Sequence, residues 1–342
     1  MSDRLAVLIL AAGKGTRMKS DLVKVLHPLM GQPMLAHVLN SAWYLNPDRL
    51  VVVVGHQAEK VEAAFSSDNL VFVRQDRQLG TGHAVAAARE ALAGFQGTVL
   101  ILSGDVPLLS PQTMVDFLSA HFQSRVPLSV LTVELENPAA YGRIIRDEEG
   151  RLWRIVEARD ASPEELAVRE INTGIYAAEA GFLFEAVAGL VPENDQKEYY
   201  LTDVVAAAND KGLPVAAIIC PDPEEVRGIN DRLDLARAVA CLRARTNQAW
   251  MLAGVTMIDP GSVYIETTVK LAPDVTLWPG VTLLGRTRIG PGTTIGPDCW
   301  LSDASVGARV VIKKGSVAEG VELPDGAVLG PLAVLGPPDK RS

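Results

Sequence analysis

Apolar residues fall in short blocks through the first two thirds of the chain, then in a six-residue beat through the last third. In the first part, Ala6–Leu10, Leu50–Val54, Leu70–Val73, Val99–Leu102, Leu128–Val133 and Val215–Ile219 are apolar runs of strand length with little alternation. Such runs predict strands buried on both faces. Between them Met34–Ala42, Ala58–Phe65 and His83–Ala93 carry helical spacing. Strand–helix alternation implies an α/β fold with a mostly parallel sheet, whose ligands sit beyond the carboxyl ends of the strands. The opening run Leu5–Ala12, after Arg4, has a signal-peptide look, but it ends in Gly13-Lys14-Gly15 and has strand length. It reads as a buried first strand. No run approaches the ~18 apolar residues that a membrane span requires.

Residues 231–252 contain neither Gly nor Pro, which predicts one long helix between the two halves. Beyond it Ile265, Leu271, Leu277, Leu283, Ile289, Ile295 and Leu301 recur every six residues. A second set, Val269, Val275, Val281, Thr287, Thr293 and Cys299, follows four residues behind, with Gly or Pro in the turns. This period predicts a left-handed parallel β-helix, each hexad forming one face of a triangular coil. The beat slips after Ser305 and fades near Leu335, so about ten hexads, roughly three coils, are expected. The expected organisation is residues 1–229, a linker helix over 230–252, and a short β-helix over 253–338.

A formal net charge of −9 argues against nucleic acid or an anionic membrane as partner. Cys220, Cys241 and Cys299 are far apart and read as reduced thiols of a cytoplasmic protein. Against this acidic background Lys14, Arg17, Lys19 and Lys24 crowd behind the first strand and its glycine turn. Glycines let backbone N–H groups close around phosphate oxygens. The loop is neither a Walker A motif nor a dinucleotide fingerprint, since Met18 stands where a third glycine would be. Arg17 and Lys24 are candidates for neutralising a triphosphate.

Leu10-Ala-Ala-Gly-Lys-Gly-Thr-Arg-Met18 followed by Asp21-Leu-Val-Lys24 resembles the nucleotide-diphospho-sugar pyrophosphorylases. Gln75, Leu79-Gly-Thr-Gly-His-Ala84, Ser103-Gly-Asp-Val-Pro-Leu108, Tyr141-Gly-Arg-Ile144, Ile155-Val-Glu157, Glu170-Ile-Asn-Thr-Gly-Ile175, Glu198-Tyr-Tyr-Leu-Thr-Asp203 and Gly228-Ile-Asn230 follow in the family's order. The chain is most similar to the uridylyltransferase half of bacterial bifunctional enzymes that make UDP-N-acetylglucosamine, a peptidoglycan precursor. The resemblance implies a Rossmann-like nucleotidyltransferase domain acting on UTP and an amino-sugar 1-phosphate. It implies that Leu10, Ala11, Ala12 and Gly13 hold the nucleotide, with Arg17 and Lys24 catalytic on its phosphates. Gln75, Gly80 and Thr81 would read the base. Asp105 and Asn230 would bind Mg²⁺, which prefers few protein ligands beside phosphate and water oxygens. Ser103, Gly104, Gly142, Glu157, Asn172 and Asn230 would line the sugar site. One departure is Val23, where the family usually has proline before the loop lysine; its loss is expected to loosen the loop without removing the charge.

All five histidines precede the repeat region. Acetyl transfer in related β-helices uses a histidine base, since the acceptor amine must lose a proton. No acetyltransferase activity is therefore expected, and the β-helix is expected to assemble a homotrimer. Two alternatives stay open: a pyrophosphorylase for another sugar 1-phosphate or another NTP, and a non-catalytic sugar-nucleotide-binding assembly subunit.

Overall fold

The computed structural model describes residues 4–65 and 69–336, so the expected domain end at 338 lies outside the described residues. The chain divides into two compact units, one built on residues up to 27 and 33–234, the other on 28–32 and from 235 onward.

The first unit carries a nine-stranded sheet. Its strands are β1 (Leu5–Ala11), β2 (Arg49–Val54), β3 (Val71–Arg74), β4 (Thr98–Ser103), β5 (Leu128–Glu134), β6 (Arg143–Arg146), β7 (Leu152–Val156), β8 (Glu170–Glu179) and β9 (Val215–Ile219). The order is β9-β5-β8-β4-β1-β2-β3, with β6 pairing to β8 and to β7. All six strands expected from the apolar runs are present. β1 runs parallel to β2 and β4, β2 to β3, and β5 to β9. β8 is antiparallel to both β4 and β5. It was missed because its first half alternates with polar residues, Glu170-Ile-Asn-Thr-Gly, and only Ile175–Ala178 is continuously apolar.

The unbroken apolar run of β1 follows from burial on both faces. Ala6 and Leu8 join one core cluster, Val7 and Ile9 the other, all four wholly inaccessible. Burying a side chain of the size of Leu8 or Ile9 contributes roughly 1.5–3 kcal/mol. Helices α1 (Met34–Tyr44) and α4 (Pro111–Ser124) pack into the Val7/Ile9 cluster. On the Leu8 side lie α3 (Thr81–Ala87), α5 (Ala180–Ala188) and α6 (Asp203–Asp210), α2 (Ala58–Ala64) having joined the opposite cluster. With both faces covered, the carboxyl ends of β1 and β4 are left as the place for a ligand.

In the second unit, α7 (Arg232–Leu252) leads into a parallel β-helix. Asn247, buried on α7, donates its amide to the carbonyls of Pro260 (2.8 Å) and Val263 (3.0 Å), fixing the helix to the first coil. Short strands stack in three sheets of five, five and four, which makes nearly five coils rather than about three. Successive coils are offset by 18 residues at first, as in Tyr264↔Thr282 and Thr282↔Trp300. They then shorten to 17, as in Trp300↔Val317 and Val317↔Val334. A residue is dropped at the same corner in two successive coils, where the inward steps from Leu301 to Val306 and from Ala318 to Leu323 are five instead of six. A slipped beat, together with the small Ala318 at an inward position, hid the later coils. The second set is also inward: Val269, Val275, Val281, Thr287, Thr293 and Cys299 are all buried. Their hydroxyls bond carbonyls inside the prism, Thr287 to Leu284 at 2.6 Å and Thr293 to Gly307 at 2.9 Å, as buried polar groups must.

Candidate active site

The turn after β1 places two cations over the carboxyl ends of β1 and β4. Gly15 takes a left-handed conformation (φ 59°), and a Cβ there would sit 2.5 Å from the Lys24 Cβ, so only glycine lets the turn close on the lysine stem. Lys24 donates from Nζ to Asp105 Oδ2 (2.5 Å) and to Asn230 Oδ1 (3.1 Å). Arg17 donates from Nη2 to the same Asn230 oxygen at 2.8 Å. Asp105 lies two residues past β4, and its carbonyl accepts from Ile229 N at 2.9 Å, which draws the 228–230 segment beside the loop. Together with Leu10, Ala11, Gly13 and Val25 these residues line a cleft of about 390 Å³. Ala12 adjoins it from below, its carbonyl packing on Gly55. Val23 already has φ −55°, within the range of proline, and is 3% exposed. Its backbone is thus in the conformation a proline would take there, and its side chain is packed away.

Gln75, buried at the end of β3, is held by its own amide. Its Nε2 donates to the Gly80 carbonyl (3.1 Å), which fixes the amide orientation, and meets His83 Nδ1 at 2.9 Å. With the carbonyl claiming a donor hydrogen, Nδ1 acts as acceptor and the Gln75 oxygen points elsewhere. Gly80 has φ 108°, and a Cβ on it would lie 2.5 Å from the Tyr199 carbonyl. Tyr199 N donates to Leu79 O, Gly82 N to Tyr199 O (both 2.8 Å), and Leu201 N to the Thr81 hydroxyl (3.0 Å). The Thr81 hydroxyl thus accepts from the 199–201 segment and keeps its own hydrogen to donate, while the Gly80 carbonyl already accepts from Gln75 and from Ala84 N (3.2 Å).

Glu157, Gly142 and Asn172 form a third group. A Cβ on Gly142 would lie 3.5 Å from both Glu157 carboxylate oxygens, and Asn172 N donates to Gly142 O at 2.9 Å. The loop before Gly142 is pinned by buried Arg143, which donates to the carbonyls of Ala139 (3.0 Å), Leu166 (3.4 Å) and Tyr141. Asn172 is still paired with Thr132, and the register irregularity that follows it, before Ile175, takes Thr173 and Gly174 out of the ladder. The Asn172 Oδ1 accepts from Gly174 N at 3.0 Å, so its NH₂ is left to donate. Burial, reinforced by Asp160, raises the Glu157 pKa, opposed by the Thr202 hydroxyl at 3.5 Å. Ser103 links this group to the first, its Oγ 3.4 Å from where a Gly174 Cβ would be, and Gly104 N donates to Leu10 O at 2.9 Å. Gly228 is the second link. Tyr141 Oη accepts from its N–H at 3.2 Å, and a Cβ there would lie 3.9 Å from Asn230 Nδ2, Asp105 Oδ1 and Tyr141 Oη alike.

Residues 7–165 match the family described as the MobA-like NTP transferase domain. The chain is 49% identical over 336 residues to the bifunctional protein GlmU of Pelobacter propionicus, covering 98% of this chain and 73% of that protein. The chain belongs to the GlmU family. Against GlmU of Geobacter metallireducens it is 53% identical over 292 residues, 85% of this chain and 61% of that one. A UDP-glucose pyrophosphorylase complexed with UDP-glucose superposes with a TM-score of 0.58 at 18% identity, covering 71% of this chain and 99% of the other. That likeness speaks to fold, and with GlmU membership it makes the chain a nucleotidyltransferase of the nucleotide-sugar pyrophosphorylase family. No helix among the described residues is long and apolar enough to cross a membrane.

Within this GlmU-family domain the sequence-derived residues fall into three adjoining groups. Arg17, Lys24, Asp105 and Asn230 bond one another directly; Gln75, Gly80 and Thr81 share a second turn; Gly142, Glu157 and Asn172 share a third. Three residues had no role assigned from sequence. His83 meets the Gln75 amide nitrogen through Nδ1. Tyr141 joins the third group to the Asn230 segment. Tyr176 on β8 is buried, and burial together with the Glu157 charge raises its pKa. All three lay inside motifs already quoted or beside them, but nothing in a linear string says which ring faces which amide.

Proposed function

We propose that the chain is a UTP:N-acetylglucosamine-1-phosphate uridylyltransferase. The observation that carries this reading is the meeting of Arg17, Lys24, Asp105 and Asn230 in one cleft at the carboxyl ends of β1 and β4. It stands beside a pocket holding a carboxylate acceptor, Glu157, and an amide donor, Asn172. A phosphate oxygen of the sugar 1-phosphate attacks the α-phosphorus of UTP. The new P–O bond forms as the bond to the β-phosphate oxygen breaks, and its electron pair leaves with pyrophosphate. No protein nucleophile is required, so the residues position and neutralise. Arg17 and Lys24 take the phosphate charge, Gln75 offers its carboxamide to the imide edge of uracil, and Glu157 and Asn172 orient the sugar.

Asp105 and Asn230 would hold Mg²⁺. Their fit rests on chemistry: a carboxylate and an amide oxygen already share one positive atom, Lys24 Nζ. Among the described residues no group of three or more His, Cys, Asp or Glu forms a closed cage. That suits an ion which keeps water and phosphate oxygens. When bound, the ion withdraws charge from the triphosphate.

The reading gives the β-helix an assembly role, with no acetyl transfer by residues 253–336. Residues 253–336 contain no histidine to serve as base. The outward positions differ by face: Lys270, Arg288, Ser305 and Glu322 on one sheet, three threonines followed by Val311 and Val328 on a second, and Tyr264 and Thr282 followed by Trp300, Val317 and Val334 on the last. Two faces that turn apolar over the later coils suit packing against two further copies. The three cysteines form no disulfide, which supports a reducing, cytoplasmic setting.

Pyrophosphate release with Mg²⁺ and UTP tests the reaction, comparing N-acetylglucosamine 1-phosphate, glucosamine 1-phosphate and glucose 1-phosphate. Release chiefly with the acetylated sugar is expected. Release chiefly with another sugar would replace the substrate, and silence with all three alongside tight UTP binding would point to the non-catalytic subunit.

A further inference from the structure

The oxygens proposed for the metal are already engaged by cations of the chain itself. Asp105 Oδ2 is 2.5 Å from Lys24 Nζ, and Asn230 Oδ1 accepts from both Lys24 (3.1 Å) and Arg17 (2.8 Å). Lys24 is not a loose surface lysine: its side chain is 11% exposed and its stem packs on Gly15. A divalent ion about 2.1 Å from the same two oxygens would occupy the space the ammonium fills. Two positive centres a few ångströms apart, with one carboxylate between them, repel more strongly than the surrounding water screens.

We propose that Lys24 is the resident cation of the metal site. It holds Asp105 and Asn230 together in the substrate-free enzyme and keeps a divalent ion out until a triphosphate draws it away. The arriving phosphate oxygens offer Lys24 and Arg17 more negative charge than Asp105 and Asn230 do, so both side chains transfer to the nucleotide and release the two oxygen ligands. Metal and nucleotide binding are then coupled, each raising affinity for the other by the same factor. One residue thus serves in turn as placeholder for the ion and as ligand for the phosphates. The inference rests on the reading of Asp105 and Asn230 as metal ligands, and not on which sugar or base is used.

The test is Mn²⁺ binding to the full chain without nucleotide, followed by electron paramagnetic resonance of the free ion. Wild type is expected to bind weakly and Lys24→Met at least about tenfold more tightly, since an adjacent unit charge can change ion affinity by orders of magnitude. Lys14→Met removes the same charge from the same cleft without touching either oxygen ligand, and is expected to change affinity less than about threefold. Adding Asp105→Asn to Lys24→Met should abolish the gain. Should Lys24→Met melt early, Lys24→Gln replaces it in the same comparison. Equal affinity in wild type and the Lys24 variant overturns the proposal, as does an equal gain from Lys14→Met or a gain that survives Asp105→Asn. No sugar or UTP enters the titration, so failure of the pyrophosphate assay would overturn the reaction while leaving this result to stand on its own.

Discussion

Glu157 and Asn172 divide the work of holding a sugar by polarity. One offers only acceptors when ionised, while the other has its oxygen tied to Gly174 N and so offers its NH₂. Loss of a hydrogen bond to a charged group costs about 1.5–3 kcal/mol, roughly tenfold to a hundredfold in affinity. Glu157→Gln is therefore expected to raise the KM for the sugar 1-phosphate by that order, and Asn172→Ala, which loses a neutral hydrogen bond, by roughly twofold to tenfold, both leaving the KM for UTP within about twofold. The raised pKa of Glu157 adds a pH signature. The ordinary carboxyl value is 4.5 and burial moves it upward, so as pH falls the carboxylate takes a proton earlier than an exposed glutamate. The sugar KM should rise on that acid limb in the wild type and stay flat in Glu157→Gln; a limb that survives the substitution would assign it to another group. At this scale the sequence was legible where a role is written in charge, as at Arg17, Lys24 and Asp105. It was silent on His83 and Tyr141, whose roles depend on a neighbour far along the chain, Tyr141 meeting Gly228 across 87 positions.

Elements carry the site through their ends and irregularities. The turn before α3 is laced to the 199–201 segment and depends on Gly80. Alanine there must take φ 108° and place a Cβ 2.5 Å from a backbone carbonyl that cannot swing aside. Strain of this kind costs of order 1–3 kcal/mol. Gly80→Ala is expected to lower the melting temperature by several degrees and raise the KM for UTP at least about tenfold, since Gln75 leans on the Gly80 carbonyl. A variant with normal UTP affinity would detach this turn from base recognition. Regular elements were the legible ones: long buried runs announced β1, β2, β4 and β5, an apolar run announced the half-exposed edge strand β9, and a stretch free of Gly and Pro announced α7. The break in β8 was not, because the bulge that follows Asn172 also breaks the apolar pattern by which strands are recognised. The later coils of the β-helix were hidden in the same way, by a residue missing from the Asp303 corner and another from the same corner one coil on.

The whole molecule sets two quantities that no single element does, acid stability and assembly. His121 on α4 is wholly buried against Ser129 (2.8 Å), and burial lowers its pKa to about 4. Its ordinary value is 6.5, so above that pH neither folded nor unfolded chain holds the proton and stability is full. As pH falls toward about 4 the unfolded chain takes the proton first, and stability drains by about 1.4 kcal/mol per pH unit, up to about 3 kcal/mol in all. A urea series between pH 7 and 4.5 should show a shallower loss for His121→Gln than for wild type. The proposed assembly rests on the uneven prism of the second unit. Val328 and Val334 are 63% and 75% exposed, and Val311 is 40% exposed, whereas the third face ends in Lys270, Arg288 and Glu322. Two faces that turn apolar over their later coils, beside a charged one, give each copy two adhesive sides, which a closed ring needs; three copies is the number proposed. Three copies of 36.5 kDa give about 110 kDa, the mass expected by light scattering after size exclusion. Val311→Asp with Val328→Asp puts charges on one column only. Because every contact in a ring joins one such face to its neighbour, spoiling one face should yield monomer near 36.5 kDa rather than a dimer. A double variant that still runs at the trimer mass would move the interface to another face, and a wild type at monomer mass would remove it.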